Sequence, residues 1–241
     1  MTSLAFSLIT YAVNPKQIAA ERAVTYIRDG MDVGLGTGST AAYAIAALGK
    51  RLQTEPLRLR CVATSLATEE LARAQNIPLA AWDDVRRLDV TIDGADEADP
   101  QFRLIKGGGG ALLREKIVAA ITEAEIIVVD NSKVVPALGA HPLPVVVVPF
   151  AWQSTQARLR ERFGVEAPPR LAPDGGMFVS DDGCYVLDAA FGAPLPSPDT
   201  LEAEIKSVIG VVESGLFLGH CQRLIIGHPD GRIEEKAPPG Q

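Results

Sequence analysis

The sequence predicts an α/β protein, a mainly parallel sheet with helices on its faces and a smaller α+β unit inserted before the last strand. Three observations carry this. Short apolar runs alternate with helical stretches through the first two-thirds of the chain, the pattern of β-α-β units. Several of these runs end in Gly-rich, hydroxyl-rich or acidic turns. Near Ala137 the character changes to a β-branched run between prolines, a charged amphipathic stretch and several short strand signals. With 241 residues, 47% of them hydrophobic and 22% charged, the chain can bury a sizeable core, unlike a disordered chain.

The elements follow in order. Asn14-Pro15 has the form of an N-cap with Pro at the first helical position, and Ala19, Ala20, Ala23, Val24 and Ile27 extend helical periodicity up to Gly30. Residues 32–35 form a buried strand closed by the Gly-rich run to Thr40, and the Ala-rich residues 41–52 a helix. Residues 57–63 are a strand, 68–75 a helix, 79–81 and 88–92 strands, 112–121 a helix and 125–129 a strand. Beyond Ala137, residues 145–148 are a strand and 153–163 a helix. Three short strands follow around Leu171, Phe178 and 185–187, then a helix at 198–208 and a strand at 211–213. That is a β-α-β-β-α-β succession, ferredoxin-like. Residues 222–226 are a last apolar strand that returns to the first, Rossmann-like sheet. The expected division is 1–138 plus 216–241 for the α/β unit and 139–215 for the small one.

Charge and composition exclude several classes. The net charge is −7 and aromatics are 5%, so nucleic acid is not an expected partner. A locally positive site for an anionic small molecule stays open. Cys61, Cys184 and Cys221 are odd in number and far apart, and His141, His220 and His228 make no ligand pair. Neither a disulfide framework nor a zinc site is signalled, and a reduced cytoplasm is the expected setting. No apolar run approaches the ~18 residues of a membrane helix. The first thirteen residues lack the basic start of a signal peptide and read as a short arm or an upstream start.

Four constellations at strand ends carry the chemistry. The first is Gly36-Thr37-Gly38-Ser39-Thr40, after a strand and before a helix. Its glycines admit close approach, the helix start offers free N–H groups and the hydroxyls donate, so it is a phosphate cradle or a Gly-rich turn that permits close packing. The loose dinucleotide fingerprint Gly36-x-Gly38-x-x-Ala41 lacks the acid that should end the second strand, which disfavours NAD. The second is Asp93-Gly94-Ala95-Asp96-Glu97-Ala98-Asp99, read as ligand contacts at a strand end, a solvated turn or a Mg²⁺ site. The third is Lys106 with Gly107, Gly108, Gly109 and Gly110, before a helix carrying Glu115. Four glycines carry an entropic penalty that backbone contact with a ligand would offset, while Glu115 faces the cleft or is an ordinary surface Glu. The fourth is Asp130-Asn131-Ser132-Lys133, in which Lys133 is a phosphate charge or a solvated lysine.

Taken together these strings resemble ribose-5-phosphate isomerase, type A. The resemblance runs from Lys16 to about Gly231 and includes Arg114-Glu115-Lys116, Thr68-Glu69-Glu70-Leu71 and Val212-Glu213-x-Gly215-Leu216-Phe217. It implies interconversion of ribose 5-phosphate and ribulose 5-phosphate through a cis-enediolate, in the non-oxidative pentose phosphate pathway. No cofactor and no metal are implied, and the expected assembly is a homodimer or larger homo-oligomer. It implies Asp93, Asp96, Lys106 and Glu115 at the active site, with Glu115 as base. Substrate contacts are implied at Thr37, Gly38, Ser39, Thr40, Gly94, Ala95, Gly107, Gly108, Gly109 and Lys133, and Lys16 matches a family lysine. Two positions depart from the family pattern: Ile209, where Pro is frequent, and Cys184, where Asn is common. The competing classes are a non-catalytic sugar-phosphate sensor, for whose DNA-binding module thirteen residues before Asn14 leave no room, and another phosphosugar isomerase or deaminase.

Overall fold

A computed structural model describes residues 13–239; apart from Val13, the stretch read as an arm or upstream start lies outside the described residues. Six strands form the main sheet in the order β12-β11-β6-β3-β1-β2. They are β1 (Asp32–Leu35), β2 (Arg60–Ala63), β3 (Leu88–Asp93), β6 (Thr122–Asp130), β11 (Arg223–Gly227) and β12 (Ile233–Lys236). The first five are mutually parallel and β12 closes the edge antiparallel. Burial on both faces accounts for their near-continuous apolar runs. The chain leaves β1 toward β2 and then crosses back to β3 on the other side of β1. The strand order therefore reverses between β1 and β3, which opens a crevice outside their carboxyl ends.

The helices bear out the local signals with shifted ends. The Asn14 side chain accepts from Lys16 N at 3.1 Å and Gln17 N at 3.4 Å, starting α1 (Pro15–Val24). α1 stops before Gly30 because Arg51 of α2 (Ser39–Thr54) takes the Val24 and Ile27 carbonyls and so satisfies the helix end. Ser65 caps α3 (Leu66–Ala74), and α4 (Leu112–Ala120) runs back along the sheet. Residues 79–81 are not a strand: Leu79 makes only an isolated parallel bridge to Cys61.

A three-stranded antiparallel sheet, β8-β7-β9, is built by β7 (Leu143–Val147), β8 (Tyr185–Ala189) and β9 (Val211–Ser214) with α5 (Trp152–Phe163) and α6 (Pro198–Lys206). Of the three short strands expected between the helices, only β8 forms a full ladder. The other two survive as bridges Pro169–Leu187, Leu171–Met177 and Val179–Tyr185. Pro168, Pro169 and Pro173 lack the N–H a ladder needs. The Pro169 bridge lies beside β8, so the segments still take the 4-1-3-2 order of a β-α-β-β-α-β unit. The resulting ribbon reaches back to the first layer. Asp181 accepts from Leu66 N at 2.8 Å and Arg114 donates to Asp182 at 2.8 Å.

A third sheet, β10-β5-β4, joins two-residue strands β4 (Glu97–Ala98), β5 (Leu104–Ile105) and β10 (Leu216–Phe217). Runs this short carry no periodicity, and neither they nor the charged edge strand β12 are visible in the sequence pattern. Phe217, Ile127, Val129, Leu224, Val146 and Val186 share one core, so the smaller sheet is packed against the main one by apolar burial of about 1.5–3 kcal/mol per large side chain. No helix among the described residues is long and apolar enough to cross a membrane.

Candidate active site

At the floor of the crevice Lys106 leaves β5 with only 2% of its surface exposed. Its backbone N–H is fixed by Gly215 O at 2.9 Å. The ammonium donates to Gly94 O at 2.6 Å and stands 3.0 Å from Asp93 Oδ2 and 3.4 Å from Glu115 Oε2. Asp93 ends β3 and is wholly buried; its Oδ1 accepts the N–H groups of Thr37 (3.0 Å) and Gly94 (2.7 Å). Gly36 must lack a side chain because a Cβ there would overlap the Asp93 carboxylate. Burial alone would lower the lysine's pKa, but Asp93, Glu115 and Glu125 together raise it, so the group stays an ammonium.

Glu115 sits in the first turn of α4, 5% exposed, with Oε2 lacking a hydrogen-bond partner. Burial pushes its carboxyl up to about 8; Lys106 opposes the shift, and Asp93 and Asp96 reinforce it. The next residue, Lys116, anchors the helix: its buried ammonium bonds Glu202 (2.8 Å), Glu213 (2.9 Å) and Leu216 O (2.8 Å).

The acidic string divides. Asp96 lines the cleft, its Oδ2 accepting Gly108 N at 2.7 Å. Glu97 is turned away and accepts the backbone N–H groups of Gly139 (2.7 Å) and His141 (2.6 Å). Asp99 accepts from Gln101 N and Arg103 N and pairs with the Arg103 side chain. A cation site built from this string would need these oxygens free, and among the described residues no group of three His, Cys, Asp or Glu is arranged to hold a metal ion. The Lys106 ammonium stands between the Asp93 and Glu115 carboxylates.

At the other end of the cleft Gly38, with φ +106°, starts α2 without a side-chain cap. The N–H groups of Ser39 and Thr40 are left for a ligand, at the positive end of a helix dipole. Lys16 donates to Ser39 Oγ at 3.0 Å, and Lys133, on the turn after β6, lines the same wall. The Thr37 hydroxyl is taken by Thr64 (2.7 Å), Ser65 (2.8 Å) and Thr68 (3.1 Å), so this residue braces the loop rather than offering a free donor. In the tetraglycine loop a Cβ on Gly108 would meet Asp96 and one on Gly110 (φ +83°) would overlap the Phe178 ring, whereas one on Gly109 would make only an ordinary contact with the Thr37 methyl at 3.8 Å.

Every residue expected at the site lines this one cleft except Asp93, which lies beneath it. Lys16 joins them. Residues the sequence did not single out are Arg170, whose guanidinium holds Gly107 O and Gly108 O, and His141, 3.8 Å from Asp96. A third is Glu125 on β6, buried with neither carboxyl oxygen partnered and held well above the usual carboxylate range by burial. The partners of Arg170 and His141 lie far away in the chain, beyond the reach of local patterning. The cysteines are all free.

The family model for ribose 5-phosphate isomerase A (phosphoriboisomerase A) matches residues 60–231. The ribose-5-phosphate isomerase A of Jannaschia sp. (strain CCS1) is 46% identical over 225 residues, 91% of this chain and 85% of its own. A solved D-ribose-5-phosphate isomerase in complex with phospho-erythronic acid superposes with a TM-score of 0.89 at 35% identity, over 95% of this chain and 100% of its own. The ribose 5-phosphate isomerase of Plasmodium falciparum gives a TM-score of 0.89 at 33% identity, over 93% and 98%.

The raised Glu115 carboxyl has a consequence for stability. Between its ordinary value of 4.5 and about 8 the folded chain holds a proton that the unfolded chain has released, so stability falls as pH rises through that window. In urea titrations Glu115→Gln should therefore gain stability relative to the native chain between pH about 5 and about 8. A difference that does not change with pH would contradict the assignment.

Proposed function

The chain belongs to the ribose 5-phosphate isomerase A family, and we infer that it interconverts ribose 5-phosphate and ribulose 5-phosphate in the cleft around Lys106. The observation that carries the reading is the Glu115 carboxyl, buried at the lining of the cleft, with its unpartnered oxygen 3.4 Å from a buried ammonium. The reaction is proton transfer beside a carbonyl. Glu115 takes the C2 proton of the open-chain aldose, the C–H electron pair forms the C1=C2 bond, and charge moves onto O1. The O2 hydroxyl proton passes to O1, Glu115 returns its proton to C1, and the carbonyl is left at C2. The net change is internal to the sugar and calls for no redox cofactor. A base poised well above the ordinary carboxylate range suits this work at neutral pH.

Lys106 stabilises the enediolate oxygens. Two of its ammonium contacts are to the floor and the longest is to Glu115, the one a substrate oxygen can most readily displace. Asp93 is the holder of Lys106 and of the Thr37 and Gly94 amides. Asp96, which lines the cleft, is proposed to move the hydroxyl proton and to assist ring opening. Ser39, Thr40, the start of α2, Lys16 and Lys133 bind the phosphate, whose remote binding energy holds the sugar in register. The complete base, ammonium and acid set separates this reading from a sugar-phosphate sensor.

Three coarser proposals accompany it. The units 1–138 plus 216–241 and 139–215 are read as domains, on the ground that the sheet β8-β7-β9 lies wholly within the second. A second copy of the chain is the proposed partner, supported by the exposure of Phe150 (88%) and Ile209 (77%). A reducing cytoplasm is the proposed setting, which suits three unpaired thiols.

Glu115→Gln should keep the fold and phosphosugar binding while kcat drops by about 10³-fold or more; a variant retaining a tenth of native turnover would move the base to Asp96. Substituting Ser39 and Thr40 by Ala should mainly raise KM, by roughly 1.5–3 kcal/mol for each charge-assisted hydrogen bond lost. Unchanged phosphosugar affinity in that double variant would remove the cradle. Sedimentation velocity should show a species larger than the monomer, and a single monomeric boundary would dismiss self-association.

A further inference from the structure

The ribbon of residues 169–185 has a feature that reaches the reacting centre. Arg170 is held in place by its own backbone, its N–H on Val186 O at 2.8 Å and its carbonyl accepting from Phe178 N at 3.0 Å. Its guanidinium forks onto Asp188. From that anchored position Nη1 donates to Gly107 O at 2.7 Å and to Gly108 O at 3.1 Å. The far side of the Gly107–Gly108 peptide is also held, because Gly108 N–H points to Asp96 Oδ2 at 2.7 Å. The Phe178 ring, beneath Arg170, occupies the space a side chain on Gly110 would need. Gly109 N–H has no acceptor among the described residues, and Gly109 lines the cleft.

A trans peptide sets its C=O and N–H on opposite sides. A guanidinium on two successive carbonyls therefore turns the next two N–H groups the other way. One of them meets Asp96 and the other, on Gly109, is turned to the cleft. A four-glycine loop has wide conformational freedom, and an oxyanion donor works only if it is already oriented when charge develops. The cation also polarises the peptides it holds, which makes their N–H groups stronger donors.

We propose that Arg170 is a positioning residue for the isomerisation: it fixes the Gly107 to Gly109 peptides so that the Gly109 N–H serves as a preorganised donor to the enediolate oxygen. Arg170 itself lies behind the loop and acts through it. The proposal rests on the isomerase reading above and extends it to a residue outside the cleft.

The test compares the native chain with Arg170→Lys and Arg170→Met. Readouts are kcat and KM on ribose 5-phosphate, affinity for phospho-erythronic acid, whose carboxylate stands in for the enediolate oxygens, and affinity for inorganic phosphate. Lysine keeps the charge beside Asp188 but cannot fork onto it and hold two carbonyls, so it decides the matter even where Arg170→Met fails to fold. Both folded variants should lose about 10- to 100-fold in kcat and weaken phospho-erythronic acid by a similar factor. Inorganic phosphate, held at the start of α2, should change by less than about twofold. A variant with native kcat and native phospho-erythronic acid affinity would overturn the proposal. So would equal weakening of phospho-erythronic acid and phosphate, since Arg170 would then be supporting the whole site. A native chain that does not isomerise ribose 5-phosphate would instead overturn the function itself.

Discussion

A lysine ammonium with 2% exposure sets the terms for everything around it. A buried charge persists only with partners of opposite sign and with hydrogen bonds to its remaining protons. Lys106 has both, and its surroundings are drawn from separate parts of the fold. The Gly94 carbonyl and the Asp93 carboxylate come from the end of β3, Glu115 comes from α4, and the backbone of Lys106 is pinned by Gly215 beside β10. The reversal of strand order between β1 and β3 brings the α2 start next to these groups. The hydroxyl-rich start of α2 and the buried Lys106–Glu115 pair thus share one cleft.

Environment separates carboxylates that the sequence presents as equals. Asp93 accepts two backbone amides through Oδ1 and faces the ammonium at 3.0 Å through Oδ2. Glu115 is buried with, among the described residues, only the 3.4 Å ion-pair contact to the same ammonium, and burial drives its carboxyl up. Asp96 stays at the surface of the cleft with a glycine amide. The three carboxylates differ in solvation and partners and not in chemistry, which is the means by which one fold can run several acid–base roles at one pH.

Much of this is legible in the chain. Strands and helices of β-α-β units announce themselves by periodicity, and the strings after β1, β3 and β6 fall at strand ends where a parallel sheet binds ligands. Illegible elements have a common cause. The strands β4, β5 and β10 are two residues long, too short for a pattern, yet they place Lys106. Prolines reduce two expected strands to bridges. Thr37 reads as a ligand donor, but its hydroxyl is spent on Thr64, Ser65 and Thr68. Arg170 reads as one arginine among many, because the carbonyls it holds lie more than sixty positions earlier. Asp93 belongs to the right string, and nothing in that string marks it as the fully buried member, packed against Gly36 beneath the cleft.

In the proposed reaction the buried Glu115 carboxyl carries the proton between C2 and C1 while Lys106 holds the charge. Exchange in heavy water isolates that step from ring opening and product release. Ribose 5-phosphate incubated with the native chain in D₂O should acquire solvent deuterium at C2, and the ribulose 5-phosphate formed should carry it at C1. With Glu115→Gln both should fall to the uncatalysed background. Exchange by Glu115→Gln at the native rate would show that another group moves the proton and would contradict the account.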